Sequence, residues 1–234
     1  MTISGQELAA SSAGERGPRA RMKRTMLDTA MRLMQTGLMP SVSDVAEAAQ
    51  VSRATAYRYF PSQAAMIQAA VDAGLGPILE WESTATDVET RVTDLMEFSY
   101  PRISAYEATH RAALRLALDQ WAQRQAGTLG DETRIVRGNR KRLLREVLEP
   151  LRDTLDTEAF DALTQGLSLM FGIEAMIVLK DIWGLDKEQA QRVAIWTARS
   201  LVRTALTEGG AKKALASAKK KKTSAGKSRN GRRK

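Results

Sequence analysis

An all-α fold follows from three features of this 234-residue sequence. Apolar residues recur at helical spacing along most of its length, the breaks between periodic segments carry Gly or Pro, and no stretch alternates strictly as a half-buried strand would. Aromatic residues make up only 5% of the chain, and β-branched residues form no runs, which also argues against sheet.

The elements follow in order. Residues 1–18 are rich in Ser, Gly and Ala without periodicity, so a disordered arm is expected there. A first helix is predicted over 21–35, where Met26, Leu27, Ala30, Met31 and Met34 form an apolar stripe that Gly37 stops. Ser41 with Asp44 three residues later resembles a capping box, and Val42, Val45, Ala46 and Ala49 give a short helix over 42–49. Beyond Pro61 the expected helices are 62–75, 86–98, 103–125, 132–153, 157–183 and 187–208. Their breaks carry Gly76-Pro77, Tyr100-Pro101, Gly127 with Gly130, and Gly184. From Gly209 the composition collapses to Ala, Lys, Ser, Gly and Arg, and 209–234 reads as a disordered basic tail.

Composition excludes several classes. Without cysteine there is no disulfide framework, thiol nucleophile or cysteine-based metal site, and His110 is the only histidine. No metal and no cofactor is therefore expected. No Gly-rich phosphate loop, nucleophile elbow or recognisable carboxylate spacing supports catalysis, so the chain is not expected to be an enzyme. Residues 2–18 lack the apolar segment of a signal peptide, and the longest apolar run, 167–179, contains Glu174 and is too short to span a membrane. A soluble, cytoplasmic protein without a membrane partner is expected. The net charge of +9 is unevenly placed: eleven Lys or Arg and no acid lie in 209–234, leaving −2 for the rest. Residues 16–63 carry +5 and residues 64–208 carry −5, a pattern suited to a chain whose ends meet phosphates.

The chemistry concentrates in Ser41-Val-Ser-Asp-Val-Ala-Glu-Ala-Ala-Gln-Val-Ser-Arg-Ala-Thr-Ala-Tyr-Arg-Tyr-Phe60. A tight connection at Gln50-Val51 joins two short helices, and Ser52 is a ready N-cap for the second. Stepping around that second helix from Ser52 by its 3.6-residue period puts Ala56 and Phe60 together and defines the buried side. The same period puts Ala54, Arg58 and Thr55 away from them, where they would face a major groove. Arg58 suits a bidentate guanine contact, and Ala54 and Thr55 suit a thymine methyl or close backbone approach. Tyr57 and Tyr59 flank that face with hydroxyls placed for phosphates. Ser41, Ser43, Ser52 and Arg53 are further DNA-backbone candidates at helix N-termini.

The stretch from Met26 to Val71, most clearly Val51-Ser-Arg-Ala-Thr-Ala-Tyr-Arg-Tyr-Phe-Pro-Ser62, resembles the DNA-binding domain of the TetR family. Two positions depart from the family pattern. Gln50 stands where many relatives have Gly, and Gln63, a further DNA-contact candidate, stands where they usually have Lys. The resemblance implies a three-helix helix-turn-helix domain over 19–64 and a helical bundle domain over 65–208 that dimerises and holds an effector. The last two long helices, 157–183 and 187–208, would form a four-helix bundle with their mates. It also implies double-stranded operator DNA as partner, a repressor role, and release by a small molecule.

Phe98, Arg102, Tyr106, His110, Trp121, Phe171 and Glu174 mix aromatic with sparse polar groups, as a small-molecule pocket does, although aromatics at helical spacing are more often core. Gly166 and Gly172 mark either close approach of a partner helix or simple tolerance of a weak helix former. The basic tail either contacts phosphates or only solubilises. An architectural protein that binds chromosomes without regard to sequence is the alternative to a specific regulator.

Overall fold

The computed structural model describes residues 17–131, 133–136 and 138–230, with side chains described as far as residue 209. Every regular element among them is helical. The helices are α1 Pro18–Gln35, α2 Val42–Ala48, α3 Arg53–Tyr59, α4 Gln63–Leu79, α5 Val88–Ala105, α6 Glu107–Ala126, α7 Asn139–Val147, α8 Thr157–Met170, α9 Ile173–Met176 and α10 Lys187–Asn230. A 3₁₀ turn, Glu149–Leu151, follows α7, and a π-helical turn, Ile177–Ile182, follows α9. No single helix among the described residues is long and apolar enough to cross a membrane.

The chain divides into two compact units. The first takes residues up to Glu82 and Phe98–Asn139, and the second takes Ser83–Glu97 and Arg140 onward, so α5 contributes a half to each. In the first unit Met26, Ala30 and Met34 of α1, Val45 and Ala46 of α2, Ala56, Phe60, and Met66, Ile67 and Ala70 of α4 form one core. Ala112 and Ala113 of α6 join the same core, so the unit reaches past residue 64, where the sequence reading ends the domain. The physical reason is that the apolar stripe of α1 is too broad for α2 and α3 alone. It packs on α4 and α6 as well.

Several boundaries differ from the sequence expectation. The helix expected over 62–75 continues through Pro77 to Leu79, because Pro77 sits in its last turn and forfeits a single backbone bond. Buried Ser99, Tyr100 and Ile103 hold α5 together across Pro101, and the break falls at Tyr106 instead. The expected helix 132–153 shortens to α7 and its 3₁₀ turn; Glu132 and Arg137 lie outside the described residues. Ahead of α7 the backbone is strapped in non-helical form by glutamines. Gln120 donates to the Thr133 carbonyl at 2.8 Å and accepts from the Ile135 amide at 3.0 Å, while Gln68 accepts from the Val136 amide at 2.8 Å.

In the second unit, Arg91 donates to the carbonyls of Glu146 and Val147 at 3.1 and 3.0 Å, satisfying the C-terminal end of α7. The segment expected as one helix over 157–183 breaks at Phe171-Gly172, where Gly172 adopts φ 123. Arg140 fastens the break by donating to the carbonyls of Ser168 and Phe171 at 3.1 and 3.0 Å and to both carboxylate oxygens of Glu174 at 2.8 Å. A Cβ on Gly172 would meet Glu174 and Arg140 at 3.2–3.3 Å, so the break requires glycine on conformational and steric grounds alike. Gly166 differs: a Cβ there meets Leu201 at an ordinary 3.5 Å, where α8 lies along α10. Ala190, Ala194, Ala198 and Val202 make the buried stripe of α10. The α10 backbone then stays helical to Asn230, where a disordered tail is expected. Ala and Lys are strong helix formers, and they extend a helix that the buried stripe has already nucleated.

Candidate nucleic-acid interface

The reading head is built by local bonds. Ser41 caps α2 in a full capping box: its hydroxyl accepts from the Asp44 amide at 3.1 Å and its own amide donates to Asp44 at 2.8 Å. The Ser41 amide, and after it the Ser41 side chain, hold the Asp44 carboxyl below the usual carboxylate range. At the far end of α2, the Val51 amide reaches the Ala46 carbonyl at 2.9 Å and the Gln50 amide reaches Glu47 at 3.0 Å. This pair of bonds is a Schellman closure with Gln50 at φ 55. Ser52 then caps α3, accepting from the Thr55 amide at 3.1 Å and donating to the Thr55 hydroxyl at 2.9 Å.

These constraints fix which side of α3 faces out. Ala56 and Phe60 are buried to 0% and 2% exposure, while Ala54, Tyr57 and Arg58 are exposed and Thr55 and Tyr59 half-buried. Arg53 and Arg58 meet no carboxylate within salt-bridge distance among the described residues. Ser43 lies 3.5 Å from the Tyr57 hydroxyl, so α2 and α3 bring two backbone-contact candidates together. The Gln63 side-chain amide donates to the carbonyls of Met39 and Pro40 at 3.2 and 3.0 Å, tying the loop before α2 to α4. Its side-chain amide is thereby engaged.

Sequence reasoning missed Arg19. Its guanidinium carbon stands 5.8 Å from the ring centre of Tyr59, and that of Arg58 stands 5.8 Å from the same ring. The only sequence signal is the basic run Arg19-Ala-Arg-Met-Lys-Arg24, which gives no hint of a contact forty residues away.

A short helix capped at its start, exposing an arginine between two tyrosines and packed on a second short helix, is the arrangement of a helix-turn-helix DNA-binding domain. Residues 26–70 match the family model described as bacterial regulatory proteins, tetR family. The match covers about a fifth of the chain and supports a DNA-binding transcriptional regulator whose helix-turn-helix is similar to that of the TetR family. No curated protein matches the chain.

The seven residues grouped as effector candidates fall in different places. Phe98, Arg102, Tyr106, His110 and Trp121 belong to the first unit, and Phe171 and Glu174 to the second. Arg102 covers the Phe98 ring at 3.6 Å and donates to the Phe98 carbonyl at 2.8 Å. The Tyr106 ring packs against Gly74, His110 is half-buried, and Trp121 is largely exposed. Phe171 is buried, and the Glu174 carboxylate is taken by Arg140. Two polar groups in this region were not singled out from sequence. The Ser99 and Tyr100 hydroxyls are buried without a hydrogen-bond partner among the described residues, and burial pushes the Tyr100 phenol up to about 12.

Proposed function

We propose that this protein is a sequence-specific regulator, a repressor that binds a two-fold operator as a homodimer and is released by a small, mostly apolar effector. The observation that carries the specificity is α3, which turns Ala54 and Arg58 outward while Ala56 and Phe60 lock its opposite side into the core. A fixed helix that turns an exposed guanidinium outward is a device for reading a guanine edge. Tyr57, Ser43 and Arg53 beside it supply phosphate contacts that set register. A protein that works on an operator acts at the chromosome, in the cytoplasm.

Dimerisation is supported by apolar side chains left exposed on the segments 157–183 and 187–208. Leu169, Val178, Ile182, Trp183, Val193 and Trp196 are all exposed, with Trp183 at 72% and Trp196 at 69%. Fully burying one large apolar side chain contributes about 1.5–3 kcal/mol, so a handful closing on their mates stabilises a dimer. Two heads joined in this way occupy half-sites about 34–36 Å apart. The effector is supported by the buried Ser99 and Tyr100 hydroxyls, since a buried hydroxyl without a partner costs about 1–3 kcal/mol until something satisfies it.

Footprinting of the purified protein on promoter fragments and on random DNA tests this reading. Protection of a short inverted repeat on promoter DNA, with diffuse binding elsewhere, is expected. Equal, unpatterned protection of both would overturn it in favour of an architectural protein. Sedimentation checks the dimer: a monomer at micromolar concentration with and without DNA contradicts it.

A further inference from the structure

The DNA-binding surface is wider than the helix-turn-helix. Arg19 is the second residue of α1, Tyr59 the last of α3, and the two arginines Arg19 and Arg58 each lie 5.8 Å from the centre of the Tyr59 ring. Tyr59 is half-buried and packs on the core of the first unit, so its ring is a fixed plate rather than a loose side chain. Both guanidiniums are exposed, and neither Arg19 nor Arg58 meets a carboxylate among the described residues. Two like charges held near one ring, without a counter-charge among the described residues, form a local excess of positive charge at the end of the recognition helix. A guanidinium held over an aromatic face at cation–π distance keeps its edge donors free, and those donors can grip a phosphate in bidentate fashion.

We propose that Arg19 is a DNA-backbone contact positioned by Tyr59, gripping a phosphate next to the bases that Arg58 faces. The inference rests on α3 being the recognition helix. It gives Tyr59 a role beyond that of a hydroxyl donor, since its ring sets where Arg19 points. It also couples the first turn of α1 to the operator. The start of α1 is itself defined: Pro18 occupies the first turn, where its missing N–H costs nothing, and the Arg21 amide closes on the Gly17 carbonyl at 3.1 Å. Arg19 therefore projects from ordered helix and not from a free arm.

The test compares wild type, Arg19→Ala, Arg19→Lys, Tyr59→Leu and the Arg19→Ala/Tyr59→Leu double variant. Affinity for a duplex chosen by the wild type from a random pool, and for an unrelated duplex, is measured across a salt series. Arg19→Ala should weaken both duplexes by the same factor and lower the slope of log affinity against log salt by about 0.9 for each arginine removed. That slope corresponds to about eightfold at 0.1 M salt relative to 1 M. Arg19→Lys should keep the slope and lose part of the affinity, and Arg19→Ala should cost far less once Tyr59 is leucine. Arg19→Ala is an exposed change whose thermal midpoint should match wild type, so the proposal stays testable if Tyr59→Leu fails to fold. Unchanged affinity and slope in Arg19→Ala, with wild type binding normally, overturns the proposal alone. A loss confined to the selected duplex overturns it too, since that would be base reading. A wild type that binds no duplex overturns the reading of α3 and this inference with it.

Discussion

Gln50 offers a quantitative check on how the helix-turn-helix is closed. It is the one non-glycine residue with positive φ among the described residues, at 55°, and it sits where the Schellman bonds of Gln50 and Val51 end α2. A left-handed conformation costs an L-residue about 1–2 kcal/mol. Glycine avoids that cost but loses about 0.5–1 kcal/mol more backbone entropy on folding. Gln50→Gly should therefore stabilise the protein by about 0.5–1 kcal/mol, a rise in Tm of roughly 1–4 °C for a chain of this size. Gln50→Val, with a β-branched side chain forced into the same conformation, should destabilise it. Reversible urea unfolding of the three proteins is the assay, with the denaturant slope expected to stay constant. A Gln50→Gly variant less stable than wild type by about 0.5 kcal/mol or more would refute the conformational argument. It would mean that the Gln50 side chain holds the turn by a contact of its own.

Two further outcomes follow. Glu89 binds Arg203 and Arg199 together, and those bonds, Arg203's first, pull its carboxyl from an ordinary 4.5 to about 2. A depressed carboxyl stabilises the fold fully above its unfolded value and loses that contribution as pH falls through the folded one. The difference in Tm between wild type and Glu89→Gln should be constant above about pH 4.5 and shrink toward pH 2; a difference that grows on acidification contradicts the linkage. Deleting 209–234, with its eleven basic residues, should flatten the salt dependence of DNA binding and leave the preferred operator sequence intact. An unchanged slope would make the tail a solubiliser.

Much of the reading head was legible because it is made of local rules. Ser41 with Asp44, Ser52 before α3, and the angular separation of Ala56 and Phe60 from Ala54 and Arg58 are all set by neighbours within one or two turns. The breaks were less legible because tertiary burial decides them. Pro77 and Pro101 look like stops, yet each forfeits one backbone bond while the surrounding side chains stay buried. Gly172 looks like any helix glycine until Arg140, more than thirty residues away, converges on the break. The contact between Arg19 and Tyr59 was invisible for the same reason, since no periodicity connects two side chains on different helices. Gln63 occupies the position expected of a phosphate contact, but two carbonyls compete for its amide.

The central claim is that α3 reads bases through Arg58. Selection of bound duplexes from a random pool, carried out in parallel with wild type and Arg58→Ala, tests it most directly. Wild type should enrich an inverted repeat, and Arg58→Ala should bind it more weakly by about 1–3 kcal/mol and lose base preference at one position in each half-site. If Arg58→Ala enriches the same sequence with the same affinity, α3 does not present the face assigned to it.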